Sequence, residues 1–157
     1  MPRGRGVAEL YGTAGIVYVL DRLTKAWAEA VLGDGRTVEA IPGILRFSLT
    51  RNTGGAFSFA QHLPEFFAVV TIAIAGLIVA ISFRPHPPST AVPLGLVLGG
   101  ALGNLTDRIA NGPGLTGGVT DFVDIRILPL FNVADSGIVL GAITLVLLAS
   151  RESRRAP

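Results

Sequence analysis

Asp121 and Asp135 carry the sharpest chemical suggestion in this sequence. Each lies within or beside an apolar stretch, neither has a basic residue at helical pairing distance, and Arg126 is the only cation near them in sequence. If the fold brings them together, two carboxylates in a poorly hydrated site cannot both ionise easily. One then keeps its proton while the other stays charged. Such a pair can hydrolyse a peptide bond: the ionised member takes a proton from water and the protonated member donates to the scissile carbonyl. Spacing alone leaves another use open, because carboxylates at membrane depth also serve proton relays and transport.

Asp21, Lys25, Asp107, Arg108 and Asp124 also lie within or beside apolar stretches. A charge near the centre of a bilayer costs between about 2.5 and 17 kcal/mol, so each needs a partner or a task. Asp21 and Lys25, at i and i+4, share a helical face and read as a structural pair. Asn104, Asp107 and Arg108 share another face and read as a hydrogen-bonding brace at a helix end. In Asn52-Thr53-Gly54-Gly55-Ala56-Phe57-Ser58, adjacent glycines permit the close approach of another chain. Asn52 adds both a donor and an acceptor, although a plain loop would look the same.

The elements that must position these residues are four apolar stretches, at approximately 7–30, 66–83, 91–110 and 131–150. Each approaches the roughly 20 residues needed to cross a bilayer, the first least cleanly because Asp21, Arg22 and Lys25 interrupt it. That first stretch has a rival reading as a signal peptide, with Arg3 and Arg5 as its basic start and Ala28-Glu29-Ala30 as the cleavage site. The charges between the apolar run and that site argue against it. Between the first two stretches, at approximately 33–64, Leu45, Phe47 and Leu49 alternate with polar neighbours and predict a short strand after a turn at Pro42-Gly43. Gly95, Gly99 and Gly103, and then Gly137 and Gly141, recur at four-residue spacing, which lets helix backbones pack closely in lipid. The expected fold is therefore an all-α polytopic membrane protein, a single membrane domain over 1–157 with four transmembrane helices and a small extracytoplasmic β-sheet. The excess of Arg in the short loops places both termini inside.

Composition agrees. Of the 157 residues, 50% are hydrophobic and 15% charged, against about 25% charged in soluble domains; the mean hydropathy is +0.58. The net charge of +2 is not gathered on one face with aromatics, so a nucleic-acid partner is not expected. There is no cysteine, which removes thiol chemistry, and only His62 and His86 could serve a His-based triad or zinc site. No metal or other cofactor is expected.

Five blocks in this order carry a resemblance to a known family: Asp21-Arg22-Leu23-Thr24-Lys25, Asn52 to Ser58, Gly99 to Arg108, Val119-Thr120-Asp121-Phe122-Val123-Asp124, and Phe131-Asn132-Val133-Ala134-Asp135. The chain resembles lipoprotein signal peptidase, or signal peptidase II. The resemblance implies four helices in the bacterial cytoplasmic (inner) membrane, cytoplasmic termini and an active site near the extracytoplasmic face. It implies an aspartic endopeptidase that removes the signal peptide from prolipoproteins carrying a diacylglyceryl-cysteine, cutting just before that cysteine. The partners are then the prolipoprotein and membrane lipid, and the chain acts as a monomer. By resemblance the catalytic pair is Asp121 and Asp135. Asn52, Gly54, Asn104, Asp107, Arg108, Asn132 and Ala134 line or brace the site, Asp21 and Lys25 are structural, and Asp124 has a supporting role. The stretch Ile109 to Gly118 reads as longer and more glycine-rich than in many relatives, on the outer side over the site. A small proton-coupled carrier would use the same carboxylates as a relay, but no internal repeat of the kind many carriers show is visible.

Overall fold

The computed structural model describes residues 3–54, 64–84 and 87–154, residues 3 and 4 by their backbone alone. His62, His86 and the Gly55–Ser58 half of the glycine motif lie outside the described residues. The order is α1 (Arg3–Leu32), β1 (Val38–Ile41), β2 (Leu45–Asn52), α2 (Pro64–Ser82), α3 (Ala91–Ala110), β3 (Val119–Asp124) and α4 (Val133–Ser153). Helices thus cover the four apolar stretches. Three of them, Pro64–Ser82, the segment Pro88–Ala110 that contains α3, and Val133–Ser153, are long and apolar enough to cross a membrane. α1 is not among these three: its charges break the apolar run.

The helices are turned inside out relative to a soluble bundle. On α1, Ile16 and Leu23 are 63% and 62% exposed, while Asp21 and Lys25 are both fully buried. α2 and α4 likewise expose Phe66, Val69, Leu77, Leu140, Ile143 and Val146. A polar interior under an apolar exterior suits a surface that meets lipid. It also accounts for α1, whose charges face its neighbour and not the surroundings.

α3 is the central helix, packed on α1 and α4 and more lightly on α2. Glycine makes the close approach possible. A Cβ on Gly99 would stand 2.5 Å from the Ala14 carbonyl oxygen and 2.8 Å from Val17 Cβ; one on Gly141 would stand 2.6 Å from the Pro93 carbonyl oxygen. Gly99→Leu should therefore force α1 from α3 and cost about 3 kcal/mol or more. Gly12→Leu, whose Cβ would meet nothing within 4 Å, should be near neutral. Thermal unfolding of the two variants in the same detergent makes the comparison.

The expected strand is β2, and it enters an antiparallel sheet of order β1-β2-β3. Residues 42–44 form the β1–β2 turn, with Gly43 at φ 74°, a conformation glycine adopts without strain. β3 lies outside the region 33–64 in which the sequence places its strand. Val119, Thr120, Asp121, Phe122 and Asp124 are all buried, so the alternation that marks a half-exposed strand is missing. The sheet docks on the C-terminal end of α1. There Trp27 meets Phe47 and Phe122 edge to face, with ring centroids 5.4 and 6.2 Å away, over Ala28 and Leu32.

Candidate active site

The C-terminal ends of α1 and α3, the N-terminal ends of α2 and α4, and β3 meet at one end of the bundle. Asp121 reaches this point from the middle of β3 and Asp135 from the first turn of α4. The pivot between them is Asn132, the N-cap of α4, which is fully buried. Its Nδ2 donates to Asp121 Oδ1 at 2.7 Å, and its backbone N–H donates to Asp135 Oδ2 at 3.2 Å. Its Oδ1 accepts from the Asp135 N–H at 2.9 Å, so Asn132 and Asp135 form a capping box. The same exchange that starts α4 thereby orients one carboxylate and ties it to the other.

Two further amides complete the frame. Asn52 Nδ2 donates to Asp121 Oδ2 at 3.0 Å, and Asn52 Oδ1 is itself fixed by the Gly54 N–H at 3.0 Å. Asn104 Nδ2 donates to Asp135 Oδ1 at 2.8 Å. A cavity of about 490 Å³ opens over both carboxylates, walled by Phe67 of α2, Ile138 and Val139 of α4, and Leu128, Pro129 and Phe131 of the loop before α4. Its polar groups are the aspartates, Asn52, Asn104 and Arg108, with the hydroxyls of Thr71 and Ser136; the rest is apolar. Burial, reinforced by the neighbouring Asp135, pushes the Asp121 carboxyl up to about 7, against the opposing hydrogen bonds from Asn52 and Asn132.

The brace expected from Asn104, Asp107 and Arg108 is divided among three tasks. Asn104 serves the dyad. Asp107 turns to α1 and the sheet: it pairs with Arg22, lies 2.8 Å from Lys25 Nζ, and accepts the Thr120 N–H at 2.9 Å. Arg108 donates to the carbonyl oxygens of Gly54 at 3.1 Å and Gly117 at 3.4 Å, holding two loops beside the cavity. Asp21 accepts the Ala134 N–H at 3.0 Å and lies 2.8 Å from Lys25 Nζ. Ala134 must be small, because its carbonyl oxygen and Cβ face Gly100 and Gly103 of α3. Asp124 stands apart. An odd separation puts it on the opposite face of β3 from Asp121, where it accepts from Arg46 Nε at 2.9 Å and the Arg126 N–H at 2.9 Å. The Arg126 N–H and then Arg46 hold its carboxyl below the usual range.

Thr120 escaped the sequence reading. It is fully buried, and its carbonyl accepts from Asn132 Nδ2 while its hydroxyl accepts from Arg51. It joins sheet, α3 and α4, and only its place beside Asp121 in sequence could have marked it. The link from Lys25 to the dyad was also missed: its ammonium donates to Asn104 Oδ1 at 3.0 Å. Among the described residues no group of acidic or histidine side chains could hold a metal ion.

Charge closes on itself here. Asp21, Asp107, Asp121 and Asp135 face Arg22, Lys25 and Arg108, so a single proton on the Asp121–Asp135 pair leaves the cluster neutral. Low-dielectric surroundings favour that state.

A lipid-facing helical protein whose polar interior converges on two carboxylates is the class that fold and site define. The model of the family described as Signal peptidase (SPase) II matches residues 13–151, most of the chain. A lipoprotein signal peptidase of Rhodococcus jostii is 46% identical over 140 residues, covering 88% of this chain and 71% of that one. One of Streptomyces coelicolor is 41% identical over 148 residues, covering 94% and 72%. A solved chain described as a bacterial membrane enzyme structure obtained by the in meso method matches with a TM-score of 0.76 at 31% identity, over 92% of this chain and 89% of that chain. The chain belongs to the signal peptidase II family, and it is a peptidase.

Proposed function

We propose that this protein is an intramembrane aspartic endopeptidase that removes the signal peptide from diacylglyceryl-modified prolipoproteins, cutting just before the lipidated cysteine. The observation that carries the reading is the convergence of Asp121 and Asp135 on Asn132 beneath an apolar cavity. The ionised member of the pair takes a proton from water, the water oxygen attacks the scissile carbonyl, and the protonated member donates to the carbonyl oxygen. The proton taken from water then passes to the leaving amine as the C–N bond breaks, the other carboxylate takes a proton back from a hydroxyl of the tetrahedral intermediate as its carbonyl re-forms, and the pair returns to its singly protonated state. The apolar walls suit a signal helix and acyl chains, and they exclude bulk water from the carboxylates.

In this reading α1 is the fourth transmembrane helix, its charged face covered by α3. The whole of 1–157 is one membrane domain in the bacterial inner membrane. Both termini are cytoplasmic, and the sheet and site lie toward the extracytoplasmic face. Asn52, Gly54, Asn104, Arg108 and Asn132 hold the site, Asp107 and Ala134 brace it, and the protein acts as a monomer without metal or cofactor.

The test uses detergent-purified protein and one prolipoprotein in two forms, with and without the diacylglyceryl group. Mass spectrometry should find a new N-terminus at the lipidated cysteine and negligible cleavage of the unmodified form. Equal cleavage of both forms, or a cut elsewhere, would remove the substrate assignment. The pH profile follows from the pair. As pH rises through about 7 the proton held near Asp121 is lost, and the acid goes with it. The kcat/KM profile should be bell-shaped with its alkaline limb near pH 7, and the limbs belong to the pair. Activity still rising from pH 7 to 9 would contradict a shared proton.

A further inference from the structure

Lys25 is fully buried, and the hydrolytic steps above do not use it. It lies between Asp21 and Asp107 at 2.8 Å from each, and it also donates to Asn104 Oδ1 at 3.0 Å. An ammonium can only donate, so the Asn104 amide must turn its oxygen toward Lys25. Asn132 Nδ2, 3.3 Å from the same oxygen, makes the same demand. The Asn104 NH₂ is then left to face Asp135 Oδ1. Reversing the amide would set N–H against N–H on one side and oxygen against carboxylate on the other.

The two carboxylates are alike in their amide donors and differ in the charges behind them. Asp135 sits in the first turn of α4, where the helix terminus favours a negative charge, and a single amide separates it from Lys25. Asp121 lies mid-strand and faces Asp135, Arg108 and, without the Asn104 amide between them, the charge of Lys25. The Arg108 guanidinium is drawn to the carbonyls of Gly54 and Gly117. Asp21 and Asp107 offset part of the Lys25 charge, and Arg22 offsets part of that of Asp107.

We propose that Lys25 is a positioning residue of the dyad: by fixing the Asn104 amide toward Asp135 it assigns the ionised, water-activating role to Asp135 and leaves the proton on Asp121. The assignment rests on the aspartic peptidase reading and extends it. It gives α1 a part in the chemistry in addition to its part in packing.

The test is the kcat/KM–pH profile of Asp21→Asn/Lys25→Met, which removes one cation and one anion together. An opposite charge within about 4–6 Å moves a carboxylate by about 1–3 units, and Lys25 acts through an amide, so the acid limb should move up by about one unit. kcat/KM read on that limb then falls about tenfold, and the alkaline limb moves in the same direction by less. Asp21→Asn/Lys25→Gln, whose amide can still donate to Asn104, isolates the charge and should move the acid limb in the same direction. A purely structural Lys25 would lower the yield of folded protein and leave the profile of the folded fraction unmoved; that result overturns the proposal. Asp121→Asn and Asp135→Asn are run beside these. If both are inert while the Lys25 variants keep the wild-type profile, the aspartic reading stands and the role of Lys25 falls. If either aspartate variant stays fully active, the aspartic reading falls and this assignment with it.

Discussion

Asp135→Asn should lower turnover by about 10³-fold or more, near the upper end of what one proton-transfer group contributes, with KM changed little. The substitution keeps the shape of the side chain and removes its ability to take a proton from water. Asp121→Asn should lose as much, because it removes the acid. Neither variant should unfold. Each aspartate accepts two N–H donors, Asn132 and Asn104 on Asp135 and Asn132 and Asn52 on Asp121. An asparagine offers one oxygen where the aspartate had two, so one buried donor goes unmatched at a cost of about 1–3 kcal/mol. In the proposed reading, substrate affinity rests mainly on the apolar cavity walls, which neither change touches. Single-turnover kinetics on lipidated substrate separate the two effects. A fall in affinity with an intact chemical step would assign both residues to binding.

The largest effect on stability should come from Asp107→Leu, at about 3–5 kcal/mol. Asp107 is buried and holds Arg22 and Lys25 of α1 and the Thr120 N–H of β3. Leucine leaves those cations without their common anion and the strand N–H without an acceptor. Asp34→Ala is the control. Its pair with Arg36 is a surface one, with both side chains more than half exposed, and such pairs contribute about 0–1 kcal/mol. Thermal unfolding in detergent should separate the two variants clearly. An Asp107→Leu protein as stable as Asp34→Ala would mean that the buried cluster does not hold α1 to the bundle.

What the sequence disclosed and what it concealed have physical reasons. Helices were legible because lipid-facing surfaces demand long apolar runs, and β2 because one of its faces alternates. β3 was concealed by being covered on both faces. α1 was blurred because its charges point inward. The residues of the site were legible as types, since a buried charge is costly enough to need a reason. Their partners were not. Asp107 and Arg108 are adjacent in sequence yet serve different neighbours, α1 and β3 for one and the loops at Gly54 and Gly117 for the other, and the Lys25–Asn104–Asp135 chain joins three helices. Helical spacing identifies which residues share a face; it does not say what that face will meet.

The most direct test of the central claim is signal-peptide release at pH 6 by purified wild-type protein, Asp121→Asn and Asp135→Asn, each shown to be folded, on a diacylglyceryl-modified prolipoprotein. The wild type should cleave before the lipidated cysteine, and both variants should lose that product. Release by either variant at the wild-type rate would contradict it.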